Sequence, residues 1–111
     1  MSDQSSRKKI LTNTEKKRLR AIGHALKPLV TIGQNGLTRN VGQEINRALE
    51  DHELIKIKMH IPDREMRRAL IKNVCSVYHA ESVQDIGHTS LLYRVAKRPD
   101  PKLSNLIRKV S

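Results

Sequence analysis

The chain has 111 residues, which is enough for one domain but not comfortably for two. It carries 22 Lys and Arg against 11 Asp and Glu, so its formal net charge of +11 favours a polyanionic partner such as nucleic acid. The single cysteine excludes an internal disulfide, and no apolar stretch is long enough for a membrane span or a secretory signal, so we expect a soluble cytoplasmic protein.

The aromatic content limits how the chain can bind its partner. Trp and Phe are absent, and there are two Tyr. A sheet that binds single-stranded RNA by base stacking needs several exposed aromatics. A helix that lies on a membrane surface needs large apolar anchors, which are also missing. Binding must therefore use backbone groups, charge and shape, and we expect no membrane partner.

The first predicted element is a helix that follows a basic arm. Residues 1–12 show no periodicity, and we expect a flexible arm there. Thr14 is the predicted N-cap of a helix that runs to about Ala25, and Pro28 prevents its continuation. Three apolar residues at helical spacing form its expected buried stripe, namely Leu19, Ile22 and Leu26.

Basic residues line another side of this helix. Lys16, Arg20, His24 and Lys27 are spaced by four, four and three residues, and Lys17 lies beside them. Most charged helix faces are simply solvated. Glu15 is the one acid across the helix, however, and this imbalance favours a role in RNA binding over a solvated face.

A short strand and a glycine loop come next. Residues 29–32 form the predicted strand, and Gly33-Gln34-Asn35-Gly36 follows as a Gly-x-x-Gly loop. Thr38 is the predicted N-cap of a second helix that ends near His52. Its inward residues are Val41, Ile45, Ala48 and Leu49, whereas its acidic tail with Glu50, Asp51 and Glu53 should face away from nucleic acid.

The glycine loop is the strongest candidate binding site. Gly33 and Gly36 allow the backbone to turn sharply and to approach an RNA strand closely. Free backbone N–H groups beside a helix N-terminus suit a phosphate. Gln34 and Asn35 can add hydrogen bonds, and Arg39 adds charge. The alternative is an ordinary strand-to-helix turn, in which glycines are common.

The second half of the chain repeats the alternation of strand and helix. Residues 54–61 alternate, with Ile55, Ile57, Met59 and Ile61 on one face and Lys56, Lys58 and His60 on the other. Asp63 is the predicted N-cap of a third helix to about Tyr78. We expect Met66, Leu70, Val74 and Val77 inward, and Arg64, Arg68 and Lys72 outward, either solvated or bound to RNA.

Two strands and a basic tail complete the chain. We predict strands at 83–86 and 90–95 around a turn at Gly87-His88. Residues 98–111 form the predicted tail, with a possible short helix at 103–110. The fold class is therefore a single small α/β domain at 13–97, in the order α-β-α-β-α-β-β, with helices on at least one face of the sheet.

Catalysis has little support in the sequence. Cys75 and His79 lie four residues apart on a predicted helix, but a zinc site needs further ligands and no second cysteine exists. Paired carboxylates, a nucleophile elbow and a Walker-type lysine are also missing. We expect no enzyme, cofactor, metal or small-molecule substrate, although a metal-dependent RNA-processing enzyme remains the alternative from another class.

Three sequence blocks, at plausible spacing and in order, carry a family resemblance. They are residues 33–36 after a short strand, residues 52–58 (His-Glu-Leu-Ile-Lys-Ile-Lys) and residues 86–94 (Ile-Gly-His-Thr-Ser-Leu-Leu-Tyr-Arg). Residues 24–30, which lead into the first strand, add to this resemblance. Together they resemble the CRM domain, named for chloroplast RNA splicing and ribosome maturation, and in particular its stand-alone bacterial YhbY-type form. The resemblance covers roughly residues 14–97.

The resemblance implies an RNA-binding domain whose fold is similar to the C-terminal domain of the third bacterial translation initiation factor. Stand-alone bacterial members associate with precursors of the large ribosomal subunit, which implies ribosomal RNA as the partner and a monomeric assembly factor. A general RNA chaperone, an intron-splicing cofactor and a constitutive ribosomal protein stay open. The predicted RNA-binding residues are Gly33, Gln34, Asn35, Gly36, Thr38, Arg39, Lys16, Lys17, Arg20 and Lys27.

Overall fold

The computed structural model describes residues 11–98 and residue 104. Its elements are α1 (Asn13–His24), β1 (Val30–Ile32), α2 (Arg39–His52), β2 (Leu54–Met59), α3 (Arg64–Tyr78), β3 (Glu81–Ile86) and β4 (Thr89–Tyr93). The predicted order α-β-α-β-α-β-β is confirmed. The predicted basic arm and the possible helix at 103–110 lie outside the described residues, except for the last two positions of the arm and Ser104.

Helix α1 begins two residues earlier than the sequence analysis placed it. Thr12, not Thr14, is the N-cap, because its hydroxyl accepts a hydrogen bond from the Glu15 N–H at 3.1 Å. The Glu15 carboxylate in turn accepts from the Thr12 N–H at 3.0 Å, which completes a capping box. The prediction of Thr14 was wrong because it overlooked the acidic residue three positions after Thr12.

The N-caps of the other two helices are confirmed. Thr38 Oγ1 accepts from the Val41 N–H at 3.2 Å at the start of α2. Asp63 Oδ1 accepts from the N–H groups of Glu65 and Met66 at the start of α3. Each cap satisfies backbone donors that have no partner inside the helix, so each helix has a defined first residue.

The four strands form one mixed sheet in the order β1-β2-β4-β3. β1 is parallel to β2, with Val30 opposite Ile57, whereas β2–β4 and β4–β3 are antiparallel. β1 and β3 are therefore the edge strands. The β3–β4 register shifts between Ser82 and Gln84, which is a bulge.

Helices cover both faces of the sheet, and each face has its own apolar cluster. Ile55, Ile57 and Met59 of β2 are buried on one face with the inner residues of α2 and α3. Leu54 is buried on the other face with Leu19 of α1 and with residues of β3 and β4. The predicted alternation of β2 is thus confirmed, and α1 supplies a second cover.

The inner face of α3 differs from the predicted one. Met66 and Val77 are 57% and 50% exposed, although both were expected inward. Ile71, Val74 and Cys75 are the buried residues of this helix. Val74 belongs to both stripes, and the predicted inward residue Leu70 is partly buried against the core. The observed stripe is nevertheless rotated relative to the predicted one, since each helical residue turns by about 100°. Among the described residues, no helix has the length and apolarity that a bilayer crossing requires.

Candidate nucleic-acid interface

Three connections meet at one end of the sheet. The loop after β1, the segment 60–63 after β2 and the β3–β4 turn all lie where β1 and β2 end. Backbone hydrogen bonds join them: the His60 N–H donates to Ile32 O at 2.8 Å, and the Met59 N–H donates to His88 O at 2.7 Å. We call this end of the strands the loop end of the sheet.

The glycine loop (residues 33–36) is a tight turn. The Gly36 N–H donates to Gly33 O at 3.0 Å, which closes the turn, and the Thr38 N–H donates to Gly36 O at 2.9 Å. Gly36 has a φ of 72°, in the left-handed region that glycine adopts at no steric cost. Glycine at 36 thus fits the left-handed backbone without strain, whereas Gly33 does not have a positive φ.

The glycine loop is open to a ligand. A Cβ placed on Gly33 or Gly36 would meet nothing within 4 Å. Gln34 and Asn35 are exposed, and their backbone N–H groups have no hydrogen-bond acceptor among the described residues. Two unoccupied donors at the tip of a protruding turn can take phosphate oxygens without displacing any internal contact.

The N-terminus of α2 lies directly beyond this loop. Its first turn contains no acidic residue, and Arg39, its first residue, is exposed. The partial positive charge at a helix N-terminus adds to that of Arg39. Thr38 uses its hydroxyl to cap the helix, so the structure gives this predicted site residue a structural partner as well.

A second group of cations lies at the loop end, on α3. Arg67 is half-buried, and its Nη1 donates to the carbonyl oxygens of Ile61 and Pro62, each at 2.7 Å. The same atom lies 3.3 Å from His88 Nε2 in the β3–β4 turn. Arg64 and Arg68 flank it and are exposed.

The sequence analysis gave Arg67 no role. The available signal was spacing, because residues 64, 67, 68 and 71 share one side of a helix. Three arginines and Ile71 at these positions indicate one side of the helix that is basic in its first turns and joins the buried stripe at Ile71. The hydrogen bonds to the 61–62 carbonyls depend on the fold and have no signal in the sequence.

The predicted cations of α1 lie on the opposite face of the sheet from α2 and α3. Lys17 is exposed, and Lys16 and Arg20 are partly buried. The C-terminal turn of α1 packs Gly23 against Leu91 of β4. Among the described residues, no hydrogen bond or ion pair connects these cations to the glycine loop.

Lys27 is exposed in the connection between α1 and β1. It precedes the three-residue strand β1, whereas the glycine loop follows that strand. Lys27 therefore lies at the opposite end of β1 from the glycine loop, with Pro28 and Leu29 also between them. The structure brings Gly33, Gln34, Asn35, Gly36, Thr38 and Arg39 together, and it does not bring Lys27 or the α1 residues Lys16, Lys17 and Arg20 to them.

The acidic tail of α2 lies at the end of the sheet opposite the loop end. Glu53 is buried, and its carboxylate accepts from the Ala96 N–H at 2.9 Å and from Ser104 Oγ at 2.6 Å. Glu50 accepts from the Lys97 N–H at 3.0 Å. The six-residue strand β2 spans about 16 Å between this end and the loop end. These carboxylates thus hold the segment after β4.

Cys75 is buried in the core. In the part of the chain that the structure describes, no three His, Cys, Asp or Glu side chains are grouped so that they could hold a metal ion.

The sequence matches a known family over most of its length. Residues 11–94 match the family described as the CRS1 / YhbY (CRM) domain. The matched region begins just before the Thr12 cap and ends one residue after β4, so it contains every described helix and strand.

Individual proteins are similar over nearly their whole length. The chain is 45% identical over 98 residues to "Probable RNA-binding protein PA4753" of Pseudomonas aeruginosa, covering 88% of this chain and 94% of that protein. It is 43% identical over 84 residues to a Haemophilus influenzae protein named "RNA-binding protein", covering 76% and 85%. The solution structure of the hypothetical protein SAV1595 from Staphylococcus aureus matches with a TM-score of 0.71 and 30% identity, covering 80% of this chain and 93% of that one.

Proposed function

Because the chain belongs to the CRS1 / YhbY (CRM) domain family, we propose that it binds RNA through its glycine loop and acts on precursors of the large ribosomal subunit. RNA as the ligand agrees with the names of its bacterial relatives and with the net charge of +11. The ribosomal role follows from the resemblance to stand-alone bacterial members. The protein acts as a binding factor without a cofactor or a catalytic step.

The observation that carries the proposal is the state of the glycine loop. Its two central N–H groups are unoccupied, the space around both glycines is open, and an acid-free helix N-terminus follows directly. An RNA backbone can therefore approach closely, with its phosphates facing donors that are already oriented. Such a backbone clamp is also used by another RNA-binding module with a Gly-x-x-Gly loop.

The loop is tested by placing a negatively charged side chain at both of its glycines. The double variant Gly33→Asp/Gly36→Asp should bind large-subunit ribosomal RNA about 10- to 150-fold more weakly, since charge-assisted hydrogen bonds are replaced by repulsion. Filter binding with purified protein measures this affinity. Asn and Asp both tolerate a positive φ, so the variants should fold.

The matched control is Gly33→Asn/Gly36→Asn, which has the same shape without the charge. We expect its affinity to lie between those of the parent and of the Asp variant. Circular dichroism establishes that both variants are folded. A folded Asp variant that binds RNA as tightly as the parent would show that the loop is not the clamp.

The ribosomal role is tested separately by ultraviolet crosslinking of the tagged protein in cells, followed by sequencing of the attached RNA. Reads concentrated at one region of large-subunit ribosomal RNA and enriched in its precursor are expected. Reads spread over messenger and small RNAs would indicate a general RNA chaperone instead. Equal association with mature subunits would indicate a constitutive ribosomal protein.

The absence of catalysis is a separate part of the proposal. We expect the purified chain to leave RNA intact both with divalent metal ions and with a chelator. RNA cleavage that stops when the chelator is added would establish a metal-dependent processing enzyme and overturn this part of the proposal.

A further inference from the structure

A cavity of about 350 Å³ lies beside the basic side of α3 at the loop end of the sheet. Its wall combines three kinds of group. Arg64, Arg67 and Arg68 supply hydrogen-bond donors, Asp85 supplies an acceptor, and Met59 and Ile71 supply apolar surface. A flat basic patch would offer only the first of these.

The donors of the cavity differ in how they are held. Arg67 is held in place by its two hydrogen bonds to backbone carbonyls, so it forms a fixed part of the cavity wall. Arg64 and Arg68 are exposed, and no ion pair engages them within the described part of the chain. Each therefore has a guanidinium fork available for a planar ligand with two adjacent acceptors.

The acceptor of the cavity is held in place by its neighbours. Asp85 Oδ1 accepts from Ser90 Oγ at 2.5 Å and from Ser82 Oγ at 3.1 Å. Both bonds use Oδ1, so Oδ2 remains an acceptor for a ligand. A carboxylate here repels a phosphate group, whereas it suits a ligand that carries its own N–H donors.

The apolar surface indicates the shape of the ligand. Met59 and Ile71 are 1% and 5% exposed, so they form a narrow apolar floor at the base of the cavity, backed by the core. The edge of a flat ring can contact this floor without stacking on an aromatic side chain. This matters because the chain has no Trp or Phe.

From this combination we infer that the cavity binds an unpaired guanine base of the RNA strand held by the glycine loop; the inference rests on the proposed function. Guanine presents the acceptors O6 and N7, which an arginine fork recognises in its commonest specific base contact. It also presents N–H donors, including the N2 amino group, which can bind the Asp85 carboxylate. Adenine carries an amino group in place of O6 and has no amino group at C2. It therefore cannot accept from both arms of an arginine fork and donate an N2 amino group to Asp85.

The position of the cavity agrees with one continuous strand of RNA. The glycine loop follows β1, and the cavity is reached across β2, whose last residue, Met59, forms part of its wall. The hydrogen bond from His60 to Ile32 holds the two sites together. A strand clamped at the loop can therefore place a splayed-out base in the cavity, as single-stranded RNA does on other modules.

The test measures base preference by fluorescence anisotropy with the full chain. The probes are short oligouridines that carry one guanosine at each internal position in turn, together with adenosine, inosine and 7-deazaguanosine versions. We expect guanosine to be preferred over adenosine by about 5- to 150-fold at one position. Loss of N7 in 7-deazaguanosine, or of the amino group in inosine, should each remove part of this preference.

Variants assign the preference to the cavity. Arg64→Ala/Arg68→Ala should abolish the guanosine preference while the plain oligouridine still binds. Asp85→Asn should remove the difference between guanosine and inosine. The control is Lys72→Ala, which removes an exposed charge from the same helix at a position outside this cavity and should leave the preference unchanged.

The outcomes separate the inference from the function on which it rests. Equal affinity of the parent for all bases, or an arginine variant that weakens every oligomer alike, overturns the guanine site and leaves RNA binding intact. The second result would identify a phosphate contact. If the parent binds no oligomer and no ribosomal RNA, the proposed function fails, and the inference fails with it.

Discussion

At the scale of single residues, Arg94 connects more of the fold than any local pattern suggests. It follows β4, and its guanidinium donates to Asn46 Oδ1 at 2.8 Å, to Asn46 O at 3.0 Å and to Tyr78 O at 3.1 Å. It thereby joins the C-terminal halves of α2 and α3. Burial lowers the pKa of Arg94 from its usual value, and the nearby Glu50 carboxylate opposes that shift. An arginine still remains charged at neutral pH.

Replacing Arg94 by Lys should lower the free energy of unfolding by about 2 kcal/mol. A lysine keeps the charge but cannot reach three acceptors on two helices at once, so backbone carbonyls lose their partner. Urea denaturation followed by circular dichroism measures the change. Arg47→Lys is the control: Arg47 is 86% exposed and lies 3.7 Å from Asp51, and such surface pairs contribute little. Equal stability of the two variants would contradict the role of Arg94.

At the scale of elements, the N-caps fix where each helix begins. Thr38 and Asp63 were predicted correctly because each stands directly before an amphipathic segment. The first helix has two threonines near that place, Thr12 and Thr14, and the first of them is the cap. The reciprocal bond with Glu15 distinguishes them, since only Thr12 has an acid three residues later.

Thr12→Ala should therefore lower the free energy of unfolding by about 1 kcal/mol, because the cap and its reciprocal bond are lost. Thr14→Ala should leave stability unchanged or raise it slightly, since Thr14 is exposed inside the helix, where alanine is the better helix former. Thermal unfolding of both variants under identical conditions measures the difference. A larger loss for Thr14→Ala would place the cap where the sequence analysis had it.

At the scale of the whole molecule, the candidate RNA-binding groups and the carboxylates at the end of α2 lie at opposite ends of the strands. The glycine loop, Arg39 and the arginines of α3 lie at one end of the sheet, and the carboxylates of Glu50 and Glu53 lie at the other. The acidic groups are occupied by the segment after β4. This polarity favours one orientation of the domain on RNA, with its loop end facing the phosphates.

Two arginines on α2 test this orientation. Arg39→Ala should weaken RNA binding and reduce the slope of log affinity against log salt by about 0.7, because one phosphate contact is lost. Arg47→Ala removes the same charge about 12 Å further along the helix, towards the acidic end, and should change the slope little. Affinities measured over a range of salt concentrations give both slopes. Equal slopes for the two variants would indicate that binding follows net charge and has no preferred face.

The sequence by itself determined the order of the elements, two of the three N-caps, the alternating faces of β2 and the family. These features depend on residues a few positions apart or on short motifs, so they remain visible without the fold. The sharp turn at residues 33–36 belongs with them, whereas the structure assigned the left-handed backbone to Gly36. The RNA-binding role of residues 33–36 and of the α1 cations stays a prediction.

Only the tertiary structure decided the strand order β1-β2-β4-β3, the rotation of α3 that exposes Met66, and the meeting of Arg67 with the 61–62 carbonyls. It also decided that Glu53 is buried and binds Ser104. Each of these depends on pairing or packing between residues far apart in the chain. Local periodicity and capping carry no information about such contacts, because their free energies arise only when the sheet brings the distant segments together.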